Sequence, residues 1–129
     1  MTQMTLACSG AEEGKYLSHA NGEVFLQDGV QGTGEVWIVH QQEDGSYAFE
    51  CSGAEAGKYL SHGNGKVWLQ DGIQGAGELY NPITHGDQSI QLDCLGAETG
   101  KCLSHANSEV WLQDGYKGTG ELWGIKRYE

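Results

Sequence analysis

Gly14-Lys15-Tyr16-Leu17-Ser18-His19-Ala20-Asn21-Gly22-Glu23-Val24-Phe25-Leu26-Gln27-Asp28-Gly29 returns with few changes from Gly57 and again from Gly100, each time 43 residues further along the chain. Cys8, Cys51 and Cys94 keep the same interval, as do Glu35, Glu78 and Glu121. Units 1–43, 44–86 and 87–129, with no insertion, account for all 129 positions. The chain therefore reads as a single domain with three-fold pseudo-symmetry.

Each unit carries four short strand signals; in the first they run from Met4 to Cys8, Lys15 to Ser18, Val24 to Gln27 and Glu35 to His40. They alternate or are β-branched and aromatic, and Gly, Asn and Asp punctuate them. No window sustains apolar residues at i, i+3, i+4 and i+7, so almost no helix is expected. Asn21-Gly22 between the second and third strands predicts a hairpin, because both residues tolerate positive φ. In the third unit Ser108 replaces the glycine, which should strain or reshape that turn. Asn81-Pro82 removes a backbone donor from the fourth strand of the second unit and predicts an irregular segment as far as Ser89.

Twelve strands in three four-stranded units fit a three-bladed propeller or a β-trefoil. Propellers typically have four or more blades. The prediction is all-β, a β-trefoil of three pseudo-symmetric four-stranded repeats of 43 residues, with six barrel strands and three capping hairpins. Alternation points Leu17, Val24, Leu26 and their equivalents inward. Trp37, Tyr80 and Trp123, with Val39, Pro82 and Ile125 two residues on, complete the core. Phe25, Trp68 and Trp111 sit between inward residues and should face outward.

Apolar residues make up 38% and charged residues 19% of the chain, enough for a core and too little charge for disorder. The formal net charge of −11 argues against polyanions such as nucleic acid and against an anionic membrane face. No apolar run reaches spanning length and Met1 to Leu6 lacks signal-peptide regions, so the expectation is no membrane insertion and a cytoplasmic protein, or one exported without a classical signal. Cys8, Cys51 and Cys94 share their strand side with apolar residues and read as buried free thiols. A three-thiolate metal site lacks any C-x-x-C spacing to support it. No cofactor and no metal are expected.

Gly14-Lys15-Tyr16-Leu17-Ser18 resembles the repeat start of fascin-like and histactophilin-like trefoils. Val24-Phe25-Leu26-Gln27-Asp28 through Glu35-Val36-Trp37 is similar in length and spacing to the ricin-type lectin repeat, where the last three residues would read Q-x-W. That resemblance implies the trefoil fold and a lectin or actin-binding role. The ricin-type sugar residues do not carry over, since Ser18, Gln27 and Glu35 stand in their slots, as do Ser61, Gln70, Ser104 and Gln113 in the other repeats. The mussel galactose-binding trefoils are similar in kind, placing His, Gly and Asp around the hairpin and the loop after the third strand.

Polar residues triplicated at or beside loops are seldom forced by packing. The candidate carbohydrate-binding set is His19, Asn21, Phe25, Gln27 and Asp28, with His62, Asn64, Trp68, Gln70 and Asp71, and with His105, Asn107, Trp111, Gln113 and Asp114. A sugar site needs a planar hydrogen-bonding group for vicinal hydroxyls and an aromatic face for the C–H side of the ring. Each residue also has a structural use: Asn21 and Asp28 in turns, His19 on a carbonyl within its hairpin, Glu35 on the amides of its glycine-rich loop, Glu12 and Lys15 as a surface ion pair. The run from Asp28 to Glu35 has too few ligands for calcium. No catalytic pattern is recognisable, so the chain is not expected to be an enzyme. The leading expectation is a multivalent lectin for glycans, with galactose-type sugars among the candidates; the alternative is an actin-binding or other protein-interaction trefoil.

Overall fold

The computed structural model describes residues 2–128. Twelve strands run in chain order: β1 (Thr2–Cys8), β2 (Lys15–Ala20), β3 (Glu23–Asp28), β4 (Trp37–Gln41), β5 (Tyr47–Cys51), β6 (Lys58–Gly63), β7 (Lys66–Asp71), β8 (Tyr80–Thr84), β9 (Ile90–Cys94), β10 (Lys101–Ala106), β11 (Glu109–Asp114) and β12 (Leu122–Arg127). The helical content among the described residues is limited to single 3-10 turns, Gly10–Glu12 and Thr33–Glu35 in the first repeat and their equivalents in the others. The fourth strand thus starts at Trp37, with Glu35 closing the turn before it.

Six strands form a closed antiparallel ring, β1 to β4 to β5 to β8 to β9 to β12 and back to β1. Closure leaves the barrel no free edge. The other six form the hairpins β2–β3, β6–β7 and β10–β11, each in a six-residue register such as Leu17 opposite Leu26 and Ser18 opposite Phe25. Strands β3, β7 and β11 touch one another and close one end of the barrel. The fold is a β-trefoil.

The repeat explains the core. Leu6, Phe49 and Leu92 from the first strand of each unit, Leu17, Leu60 and Leu103 from the second, and Trp37, Tyr80 and Trp123 from the fourth are fully buried. Val24, Leu26, Val67, Leu69 and Val110 pack half-buried against this cluster, and Leu112 is buried within it. Val39 is at the core, while Pro82 and Ile125 in its place are only half-covered. All four cysteines are buried and free. Burial pushes each thiol pKa up to about 12, so none is a reactive thiolate near neutral pH.

Two local expectations change. Strand β8 runs without a break through Pro82, paired with Leu92 of β9, and a tight turn follows in which His85 and Ser89 are bonded. The pairing of this strand across the repeat boundary is short: β8 meets β5 at one residue pair, Tyr47 with Tyr80, where β12 meets β9 at two and β4 meets β1 at three. The third hairpin turn keeps the shape of the others, so Ser108 occupies the left-handed region at φ 65°, beside Asn107 at 51°. That turn is strained, not reshaped.

Candidate functional site

The five residue types singled out in each repeat do not gather on one face. The hairpin register puts Lys15, Leu17 and His19 opposite Asp28, Leu26 and Val24 on one side, and Tyr16 and Ser18 opposite Gln27 and Phe25 on the other. A hairpin side chain and its neighbour in sequence point to opposite faces.

The histidines go inward, which corrects the expectation that they belong to a surface set. His19, His62 and His105 are buried, and each Nε2 lies 2.9 to 3.0 Å from a main-chain oxygen, of Val36, Leu79 and Leu122. A carbonyl only accepts, so Nε2 carries the proton. Each imidazole also meets the buried aromatic of the fourth strand edge to face, at centroid distances of 4.7, 4.9 and 4.6 Å. The carbonyl lies beyond the hairpin, at the start of the fourth strand, so the ring ties hairpin to barrel. Each Nδ1 is closed off from solvent and has no donor among the described residues. Burial holds the His105 pKa below its ordinary value, which keeps that ring neutral near pH 7.

Asn21, Asn64 and Asn107 are exposed at the hairpin turns, each at φ 51°. Asp28, Asp71 and Asp114 stand at the hairpin roots, where Lys15, Lys58 and Lys101 pair with them across the strands. The predicted Glu12 and Lys15 pair is absent. Instead Glu12 accepts a hydrogen bond from the Ser108 amide at 2.6 Å, Glu55 from Gly22 at 2.7 Å and Glu98 from Gly65 at 2.7 Å. Each repeat thus caps the hairpin turn of its neighbour. The bond from residue 108 to residue 12 joins the last repeat to the first.

Glu35, Glu78 and Glu121 serve the glycine-rich loops. The buried Glu35 carboxylate accepts from Ser18 Oγ at 2.6 Å and from the Gln31 and Gly32 amides at 2.7 and 3.1 Å. Glu78 repeats the set on Ser61, Gln74 and Gly75. Glu121 keeps the Ser104 and Lys117 members. These loops are shaped from within. Each holds an apolar side chain in solvent at the same repeat position: Val30 at 39% exposure, Ile73 at 42% and Tyr116 at 47%.

What remains on the outer face of the hairpins is an aromatic and an amide two residues apart. Trp68 is 37% exposed and its indole N–H donates to Gln70 Oε1 at 3.2 Å. The half-buried Trp111 does the same to Gln113 at 3.3 Å. Phe25 and Gln27 occupy these places in the first repeat without an N–H to link them. The bond fixes the edge of the indole and leaves the amide NH2 of the glutamine to donate elsewhere. Among the described residues no three His, Cys, Asp or Glu side chains gather closely enough to hold a metal ion. Among the described residues no helix is long and apolar enough to cross a membrane.

No family model matches the chain, and no curated protein sequence matches it. Solved structures match its shape. The designed three-fold symmetric protein ThreeFoil aligns at TM-score 0.80 and 20% identity, over 95% of this chain and 96% of that one. The BEL β-trefoil aligns at TM-score 0.78 and 12% identity, over 98% and 93%. An arabinofuranosidase complexed with arabinofuranosyl-α-1,2-xylobiose aligns at TM-score 0.80 and 14% identity over 97% of this chain, which spans only 30% of that enzyme. A mosquitocidal holotoxin aligns at TM-score 0.86 and 8% identity, and this chain spans 17% of it. At such identities the likeness is one of fold.

Proposed function

We propose that the chain is a multivalent carbohydrate-binding protein whose sugar platforms are the indole and amide pairs on the outer faces of its hairpins. The observation that carries this reading is the Trp68 ring, open to solvent and held in place by Gln70 on a rigid hairpin. An indole face takes the C–H side of a pyranose, and a neighbouring amide donates to its hydroxyls. Holding the ring in advance removes part of the ordering cost of binding. Trp111 with Gln113 offers a second platform and Phe25 with Gln27 a weaker third. Linked platforms on one body gain avidity for clustered glycans, galactose-type sugars among them, without new contacts. Support also comes from the arabinofuranosidase complexed with arabinofuranosyl-α-1,2-xylobiose, 30% of which aligns with this chain.

The working experiment is a glycan array with Trp68→Ala and Trp111→Ala, singly and together, on protein whose fold is checked by circular dichroism. Each single change should lower array signal about tenfold or more, on the scale of one stacking contact, and the double change should abolish it. An unbound array with wild-type protein, or a double variant that binds as well as wild type, would sink the reading. A second reading, a protein-interaction trefoil of the actin-binding kind, draws on Val30, Ile73 and Tyr116, exposed at one position in all three repeats. Co-sedimentation that is lost in Ile73→Ser and Tyr116→Ser would favour it.

A further inference from the structure

Two clefts lie at repeat boundaries, away from the outer hairpin faces. One, of about 180 Å³, opens between the first hairpin turn and the 3-10 turn of the second repeat, Gly53–Glu55. The other, of about 190 Å³, opens between the third hairpin turn and the 3-10 turn Gly10–Glu12. All eight residues around the first have their 43-residue equivalents around the second. Two openings related by the internal symmetry, with the same side chains at every position, are not accidents of surface roughness.

We propose that each of these clefts binds one neutral polyhydroxyl molecule of single-sugar size. The volume is below the range of about 300 to 1,000 Å³ usual for drug-sized ligands, which suits one ring seated in the cleft. The polar groups suit hydroxyls. Glu55 is held by the Gly22 amide through Oε1, and its Oε2 takes no donor among the described residues. That fixed carboxylate oxygen is a strong acceptor for an O–H. The Thr33 hydroxyl and the Asn21 amide also face no protein partner among the described residues, and each both donates and accepts. Ala20 and Ala54 supply the apolar wall that a ring needs on its C–H side. Glu12, Thr119, Asn107, Ala106 and Ala11 repeat the arrangement in the other cleft. A single carboxylate is too little for a metal ion, and the net charge of −11 disfavours an anion.

The second hairpin boundary provides an internal control. Ala76 stands there in place of Thr33, and Leu95 in place of Ser52. One hydroxyl is lost and an isobutyl group replaces another, so the protein has two such sites and not three.

The test is a titration of the 15N-labelled 129-residue chain with methyl β-galactoside, methyl β-glucoside and methyl α-arabinofuranoside, followed by amide chemical shifts. With at least one probe, the amides of Asn21, Gly34 and Ala54, and those of Asn107, Gly120 and Ala11, should shift and saturate at a Kd on the order of 1 mM. Those of Asn64, Gly77 and Ala97 should stay still. Thr33→Ala with Ser52→Leu installs the pair the chain already accommodates at 76 and 95; it should erase the first set of shifts and spare the second. Silence in both clefts with every probe, equal shifts at all three boundaries, or an unchanged first set in the double variant would each overturn the proposal. Shifts confined to the Trp68 and Trp111 indole N–H signals would defeat the clefts and leave the outer platforms standing. Shifts confined to the cleft amides would do the reverse.

Discussion

The first and second repeats share one backbone plan and differ at the top of the fourth strand. Trp37 donates its indole N–H to the Leu17 carbonyl at 3.0 Å, and Trp123 in the third repeat does the same to Leu103 at 3.1 Å. Tyr80 fills the same place, fully buried, and its hydroxyl has no partner among the described residues. Burial pushes the Tyr80 phenol pKa well above its usual value, so it stays neutral. Yet the imidazole on a carbonyl, the serine on a carboxylate and the carboxylate on loop amides are common to both repeats. The chain has kept the polar contacts that satisfy its backbone and has let a core hydroxyl go unpaired. Polar triplication therefore has two origins here, and the invariant buried set belongs to the fold.

The largest effect should come from removing that invariant set. Glu78→Ala strips a charged acceptor from Ser61 and from the Gln74 and Gly75 amides, and strands them in a largely buried place. A loss of about 3 kcal/mol is expected, read from the urea midpoint at constant m. Glu35→Ala should match it. Glu121→Ala should cost less, because the third loop lacks the bond to its glycine amide. Three equal losses, or a loss below about 1 kcal/mol at Glu78, would show that the loops are held by something else.

These contacts mark where the sequence could and could not be read. The 43-residue period, the inward Leu and Val and the Asn-Gly turns specify the trefoil, because hydrophobic alternation and positive φ are local properties. The outward placement of Phe25, Trp68 and Trp111 follows from the same alternation. The assignment of Glu35 to loop amides was also legible, since the donors lie three and four residues away. The histidines were not. His19 reaches a carbonyl 17 residues on, and nothing in a local pattern separates a polar side chain bound to a distant backbone from one awaiting a ligand. Glu12 finds its partner 96 residues away, across the closure of the ring. The clefts leave no local pattern either, because each is assembled from two repeats.

The second effect has the opposite sign. Tyr80→Trp would replace an unpaired hydroxyl by an indole N–H placed, as in the other repeats, for the Leu60 carbonyl. It should stabilise the protein by about 1 to 2 kcal/mol, the value of one satisfied buried donor. Tyr80→Phe removes the orphan group without making the bond and should gain less. If Phe stabilises and Trp destabilises, the second repeat has repacked around the smaller ring, next to Phe49 at 5.6 Å and His62 at 4.9 Å, and packing as well as the unpaired hydroxyl separates it from its neighbours.

The smallest effect lies at the third hairpin. Ser108 holds φ at 65° in the place where Gly22 and Gly65 stand at 78° and 76°. A side chain in the left-handed region costs about 1 kcal/mol relative to glycine, partly offset by the greater freedom glycine has when unfolded. Ser108→Gly should therefore stabilise by about 0.5 to 1 kcal/mol, measured as a higher melting temperature. The bond to the Glu12 carboxylate uses only the main-chain amide of residue 108, so it survives the change and the gain isolates the backbone term. The converse substitution, Gly65→Ser, should lower stability by a similar amount while leaving the amide bond to Glu98 intact. If the two changes move stability in the same direction, the third turn is not strained by its serine, and the hairpins differ in something other than the residue at this one position.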